Sequence, residues 1–185
     1  MNENFVVLED QIRDCFGRVA WTHKTHEKQA DSYERKNLWL VWGKIIVTAF
    51  AATGGILSLI SCNYWNVVSA TLSTILLLIN LIFENRNYAV LCNKHREIAV
   101  LLWNVRESYL SLLADIRSPN VDIEKIKKTR DELQEQLSKI YSSAPRTFGD
   151  AYRNATEALH GEELSFTNAE IDKMLPPQFR KECDK

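Results

Sequence analysis

Ile45 to Phe83 reads IIVTAFAATGGILSLISCNYWNVVSATLSTILLLINLIF, and no side chain in it carries a charge. A hydrocarbon core about 30 Å thick needs roughly 20 predominantly apolar residues in a helix. The stretch is about twice that long, and Ser61, Cys62 and Asn63 interrupt it near the middle. It therefore divides into two spans, about 38–60 and 64–83, joined by a very tight turn. Backbone groups in lipid have no water to bond, so each half is expected to be helical. The expected fold is all-α: a two-transmembrane helical hairpin with a long cytoplasmic helical stalk and a short helical C-terminal tail.

Lysine and arginine all lie before Ile45 or after Phe83, and the turn has none. The positive-inside rule then places both termini in the cytoplasm. Trp39 and Trp42 flank the cytoplasmic end of the first span, and Trp65 sits by the turn with Tyr64. These are expected interface anchors, together with Lys44, whose stem can lie in lipid while its ammonium reaches the headgroups. Met1 to Ala20 mixes acids and bases and lacks the apolar core of a cleavable signal. A formal net charge of −1 gives no basic excess for nucleic acid, so no direct nucleic-acid contact is expected.

Outside the spans the seams are helical. Phe5, Leu8, Ile12, Cys15 and Val19 alternate in steps of three and four, and the same rhythm continues through Thr22, His26, Gln29 and Tyr33. Beyond the second span it resumes as Leu91, His95, Ile98, Leu102, Val105, Tyr109, Leu112 and Ile116. The hairpin brings the two helices together, so an antiparallel stalk with a coiled-coil-like seam is expected. Ser118-Pro119-Asn120 breaks the second helix, and a third is expected from Val121 to about Ser142. Its apolar face carries Ile123, Ile126, Leu133, Leu137 and Ile140, interrupted by Arg130. The alternating charges of IEKIKKTRDELQEQL mark a solvated face. After Ser143-Ala144-Pro145 a helix over Phe148 to Leu159 is expected, closed by Gly161. Thr167 and Glu170 have capping-box spacing and should open a short helix that stops before Pro176-Pro177. The resulting organisation is an N-terminal stalk helix (1–37), the hairpin (38–83), a helical stalk (84–144) and a C-terminal tail (145–185).

Helices in lipid associate through small and polar residues. Thr48, Ala51, Gly55, Ser58 and Cys62 make one small-residue face on the first span. On the second, Asn66, Ser73 and Asn80 are spaced seven apart, with Ser69 beside them. This stripe has three readings: hydrogen bonding within the hairpin, adhesion between protomers, or the lining of water in an oligomeric pore. Asn80 stands out, because a carboxamide among Leu76 to Phe83 is costly without a partner.

No catalytic constellation emerges, and neither an enzyme nor a cofactor is expected. Four scattered cysteines have no paired spacing, and Gly54-Gly55 lies inside a span where a phosphate loop has no strand to follow. His23 and His26 are two imidazoles without a readable third ligand, so no metal is expected. His26 and His95 fall on the two seams, each roughly 20 Å from the membrane at 1.5 Å rise per residue. They are candidates for a pH-sensitive contact.

A helix rich in charge, two spans, a long second helix and a tail carrying APRTFGDAYRNATEAL and LSFTNAEIDKMLP resemble the SLATT family of two-transmembrane effectors. The tail likeness rests on Pro145, Arg146, Phe148, Tyr152 and Leu175-Pro176. The resemblance implies a bacterial inner-membrane effector that oligomerises and permeabilises the membrane in antiviral defence, a cell-suicide response. It also implies a separate sensor, of nucleotidyltransferase or reverse transcriptase type, as the trigger. The partners expected are thus the lipid bilayer, further copies of the chain and that sensor. The alternative is a membrane-anchored helical scaffold that recruits a cytoplasmic partner.

Overall fold

A computed structural model describes residues 3–60, 63–84, 87–119, 122–161, 167 and 170–171. Among them there are five helices and no strand: α1 (Glu3–Ile60), α2 (Asn63–Glu84), α3 (Tyr88–Ile116), α4 (Ile123–Ser143) and α5 (Gly149–His160). The 58 residues of α1 form a single rod, about 87 Å long at 1.5 Å per residue. No proline precedes Pro119, so nothing in the sequence cuts it.

The helix ends follow from their caps. Asn87 accepts the Val90 N–H on Oδ1 at 3.2 Å and starts α3. Asp122 accepts the Glu124 and Lys125 N–H groups, so α4 starts at Ile123 rather than at Val121, which lies outside the described residues. Phe148 occupies the cap position of α5, which therefore begins one residue later than the apolar pattern alone suggests and runs to His160. The capping box is formed: the Thr167 N–H donates to Glu170 Oε2 at 2.8 Å, and the Glu170 N–H returns to Thr167 Oγ1 at 3.3 Å. Pro176-Pro177, where that helix was expected to stop, lies outside the described residues.

α1 and α3 run antiparallel. Glu9 meets Arg117, His23 meets Ala99, His26 meets His95, and Tyr33 stacks on Tyr88, the numbers rising on α1 as they fall on α3. Their main core holds Leu8, Ile12, Cys15 and Val19 against Ile98, Leu102, Val105, Tyr109, Leu112 and Ile116. α4 closes this core with Ile126, Leu133, Leu137 and Ile140. Arg130 interrupts that face because it reaches α1, donating from Nη1 to Gln11 Oε1 at 2.8 Å. α5 packs on α1 through buried Ala151, Ala155 and Ala158, with Tyr152 and His160 against the Trp21 ring. Small alanines permit this close approach.

The apolar stretch behaves differently. Two helices, α1 and α2, are long and apolar enough to cross a membrane, and almost none of either apolar window (6% and 0%) is buried by the chain itself. A core helix of a water-soluble protein would be covered. Here Phe50, Ile56, Val67, Leu77, Leu78 and Leu81 are all more than half exposed, a surface that water does not tolerate over such an extent. Threonines in these segments keep their hydroxyls inside their own helices: Thr48 donates to Lys44 O, Thr53 to Ala49 O, Thr71 to Val67 O and Thr74 to Ala70 O. These segments are built for association with a membrane.

Candidate functional site

Two constellations carry the chain's unusual chemistry, one on the apolar segments and one between α1 and α3. On the apolar segments, α2 lies along α1. Ser69 is half-buried and its hydroxyl donates to Ala51 O at 3.1 Å. Gly54 is buried opposite, and a Cβ built on it would stand 3.4 Å from Ser69 Cβ. The backbones therefore meet where Ala51 and Gly54 offer least bulk. Gly54 was missed by the step of three and four that selects Gly55; the Gly54-Gly55 doublet was the available signal. The side-chain surroundings of Gly55 and Ser58 lie outside the described residues, as does Cys62. Thr48 is exposed, its hydroxyl turned back on its own helix.

Asn66, Ser73 and Asn80 are exposed, while Ser69 of the same stripe is half-buried and bonds across to α1. Trp39 and Trp42 are exposed at 80% and 61%, and Trp65 lies at the other end of the apolar zone against Tyr64. Lys44 is half-buried at the start of the uncharged stretch.

Between α1 and α3 the seam turns from aliphatic to aromatic. His23, His26 and His95 are all buried. His26 Nδ1 lies 2.9 Å from His95 Nδ1, and His23 Nδ1 lies 2.9 Å from Ala99 O. A carbonyl only accepts, so His23 carries its proton on Nδ1, leaving Nε2 bare at 3.6 Å from a Glu27 oxygen. Tyr33 flanks His95 at 5.5 Å between ring centroids and stacks on Tyr88. Trp103 meets the His23 ring edge-on at 5.5 Å and carries the Arg106 guanidinium 3.8 Å above its face. Burial pushes all three imidazoles below their usual range, His26 to about 4, with the neighbouring His95 and His23 adding to the effect on His26. Beyond His95, the predicted seam residues Ile98, Leu102, Val105 and Tyr109 are buried in one row. The seam reading missed His23, and it took half-buried Leu91 where Cys92 is buried.

A groove of about 420 Å³ opens beside this cluster, lined among others by His23, Lys28, Asp31, Arg96 and Trp103. Among the described residues no group of three His, Cys, Asp or Glu side chains could hold a metal ion.

The segment before α5 is tied to the same seam. Buried Gln29 accepts the Phe148 N–H on Oε1 at 3.1 Å. Gln29→Ala leaves that amide without its partner and is expected to cost about 1 kcal/mol. Limited proteolysis should then cut near Pro145 to Phe148 at lower protease concentration, while the α1–α3 core stays protected. Equal resistance of variant and wild type would show that α5 is held by its alanine face alone.

No curated protein and no solved structure matches the chain. The family model described as SMODS and SLOG-associating 2TM effector domain family 4 matches residues 8–170, which takes in both apolar segments, the histidine seam and α5. With that coverage, and with two uncovered apolar helices beside an antiparallel α1–α3 core, the chain belongs to this SLATT family of two-transmembrane effector domains.

Proposed function

We propose that the protein is a bacterial inner-membrane effector that assembles from several copies and permeabilises the membrane in antiviral defence. The observation that carries this reading is the stripe of Asn66, Ser73 and Asn80, exposed on a largely apolar α2. A carboxamide facing hydrocarbon without a partner costs several kcal/mol. A second copy or a column of water removes that cost. One pair of helices encloses no water path, so a lining requires a ring of copies. The helices pass through the bilayer as a hairpin, α1 outward and α2 back inward, with both termini in the cytoplasm; the confinement of lysine and arginine to the flanks of the uncharged stretch supports this. The Trp39, Trp42 and Trp65 anchors and Lys44 then sit at the two interfaces. In this arrangement α1 up to its membrane part, α3 and α4 form the cytoplasmic stalk and α5 its docked tail.

The resting assembly keeps the stripe packed, and a separate sensor, of nucleotidyltransferase or reverse transcriptase type as the family likeness implies, favours the open state by binding it more tightly. Expression of the triggered system should collapse the membrane potential and admit an impermeant dye. Asn80→Leu at equal membrane abundance is expected to reduce dye entry at least tenfold. Undiminished entry would remove the stripe from the mechanism.

A scaffold that merely anchors a partner-recruiting bundle is the second reading, favoured by Val100, Trp103 and Leu110, which are exposed along α3. Replacing the apolar segments with an unrelated transmembrane hairpin preserves function if the scaffold reading holds and abolishes it if the pore reading holds.

A further inference from the structure

The contact between His26 and His95 joins two buried imidazoles through a single shared hydrogen. Two Nδ1 atoms 2.9 Å apart bond only when one carries hydrogen and the other a lone pair. His95 Nε2 is buried without a hydrogen-bond partner. The arrangement that strands the fewest donors puts the hydrogen on His95 Nδ1, leaves His95 Nε2 bare, and makes His26 Nδ1 the acceptor. Each added proton then carries a cost. On His26 Nδ1 it sets two N–H groups against each other. On His95 Nε2 it creates a buried donor with no acceptor, on a ring that has become a cation.

The surroundings offer a cation little relief. From α1 the pair is flanked by His23 and by the neutral Tyr33 ring, and from α3 by buried Cys92. The carboxylate of Glu27 lies on the far side of His23, where Lys24 also claims it at 3.1 Å. Arg106, over Trp103, adds positive charge near His23. The Glu34–Arg96 pair is closed on itself at 2.7 Å and exposed. α5 brings alanines to α1, and its His160 lies against Trp21.

We propose that the His26–His95 contact is a proton-sensitive latch, which holds α1 against α3 when neutral and releases them when protonated. This goes beyond the membrane reading and does not depend on it. The direction follows from linkage. His26 binds its proton near pH 4 when the helices are closed and near 6.5, the ordinary value for a histidine in water, when they separate. Between those values the separated state holds more protons, so the closed state is at full strength above 6.5 and loses ground as pH falls toward 4. From pH 7.5 to 5.0 the ratio of closed to separated molecules falls about thirtyfold for this one group. His95 and His23, lowered by the same burial, act in the same direction.

The test uses the full chain in detergent micelles, with thermal unfolding followed by circular dichroism at pH 7.5 and 5.0. Wild type is expected to lose stability at pH 5.0 by the equivalent of at least that thirtyfold change, and His26→Phe/His95→Phe to lose less than a third as much as wild type on a logarithmic scale. A folded double variant with the full acid loss overturns the latch. If the double variant does not fold, imidazole ¹⁵N shifts of histidine-labelled wild type decide the matter. Rings of His26 and His95 that stay neutral at pH 5.5 while α1 and α3 remain together support the latch. Rings that protonate in the ordinary histidine range with the helices still packed refute it. Stabilisation of wild type by micromolar zinc at pH 7.5, lost in the double variant, would also refute it, since the pair would then be a metal site.

Discussion

Leu102→Asp is expected to abolish cooperative unfolding of the α1–α3 pair, leaving a chain that inserts into detergent but carries no ordered bundle. Leu102 is fully buried in the middle of the main core, with Ile98 and Val105 one turn to either side. A carboxylate there is taken out of water among aliphatic side chains, and burying an ionised group in such a place is costly on the scale of a typical domain's whole stability. The milder Leu102→Ala removes only packing and should cost about 2–5 kcal/mol, the range for leucine truncation in a closed core. Melting curves of both variants in the same micelles check the pair of expectations. A Leu102→Asp protein that melts like wild type would mean that this row is not a core.

Gly54→Leu is expected to be the most damaging single change in the apolar segments. The Cβ position at Gly54 already stands 3.4 Å from Ser69 Cβ and 3.7 Å from Ser69 Cα. Alanine makes ordinary contact there and should be tolerated. Leucine must push α2 outward, which adds overpacking of about 1–3 kcal/mol to loss of the Ser69 hydroxyl bond to Ala51 O, about 1 kcal/mol. Crosslinking between cysteines introduced near Ala51 and Ser69 should form readily in wild type and in Gly54→Ala, and fall severalfold in Gly54→Leu. Equal crosslinking in all three would separate Gly54 from the contact.

The helices themselves were legible because their signals are local. An uncharged apolar run, an Asn or Asp cap, a proline break and steps of three and four each involve neighbours in sequence. The meeting of His26 with His95 was legible too, since both fall on the seams at similar distances from the apolar run. What could not be read is where the seam wanders. A straight helix drifts about 20° per heptad against a strict seven-residue repeat. The rhythm that selects Ile12 and Val19 correctly therefore lands on Thr22, whereas His23 is the buried neighbour. Burial of Gln29 had a different origin: the segment before α5 covers a second face of α1. Only a contact distant in sequence creates that face. In the candidate site, the spacing of Asn66, Ser73 and Asn80 was plain, but the bond of Ser69 across to α1 depends on the closeness of Gly54, which sequence spacing does not report.

The unbroken length of α1 sets a mechanical rule for the molecule. Because one helix runs from the Ile12 layer past His26 to Phe50, the angular phase of these residues about the axis is locked at 3.6 residues per turn. Any twist that repacks Ile12 against α3 must turn Phe50 and Gly54 through nearly the same angle. Torque, rather than a relay of side-chain contacts, links the two ends of the rod.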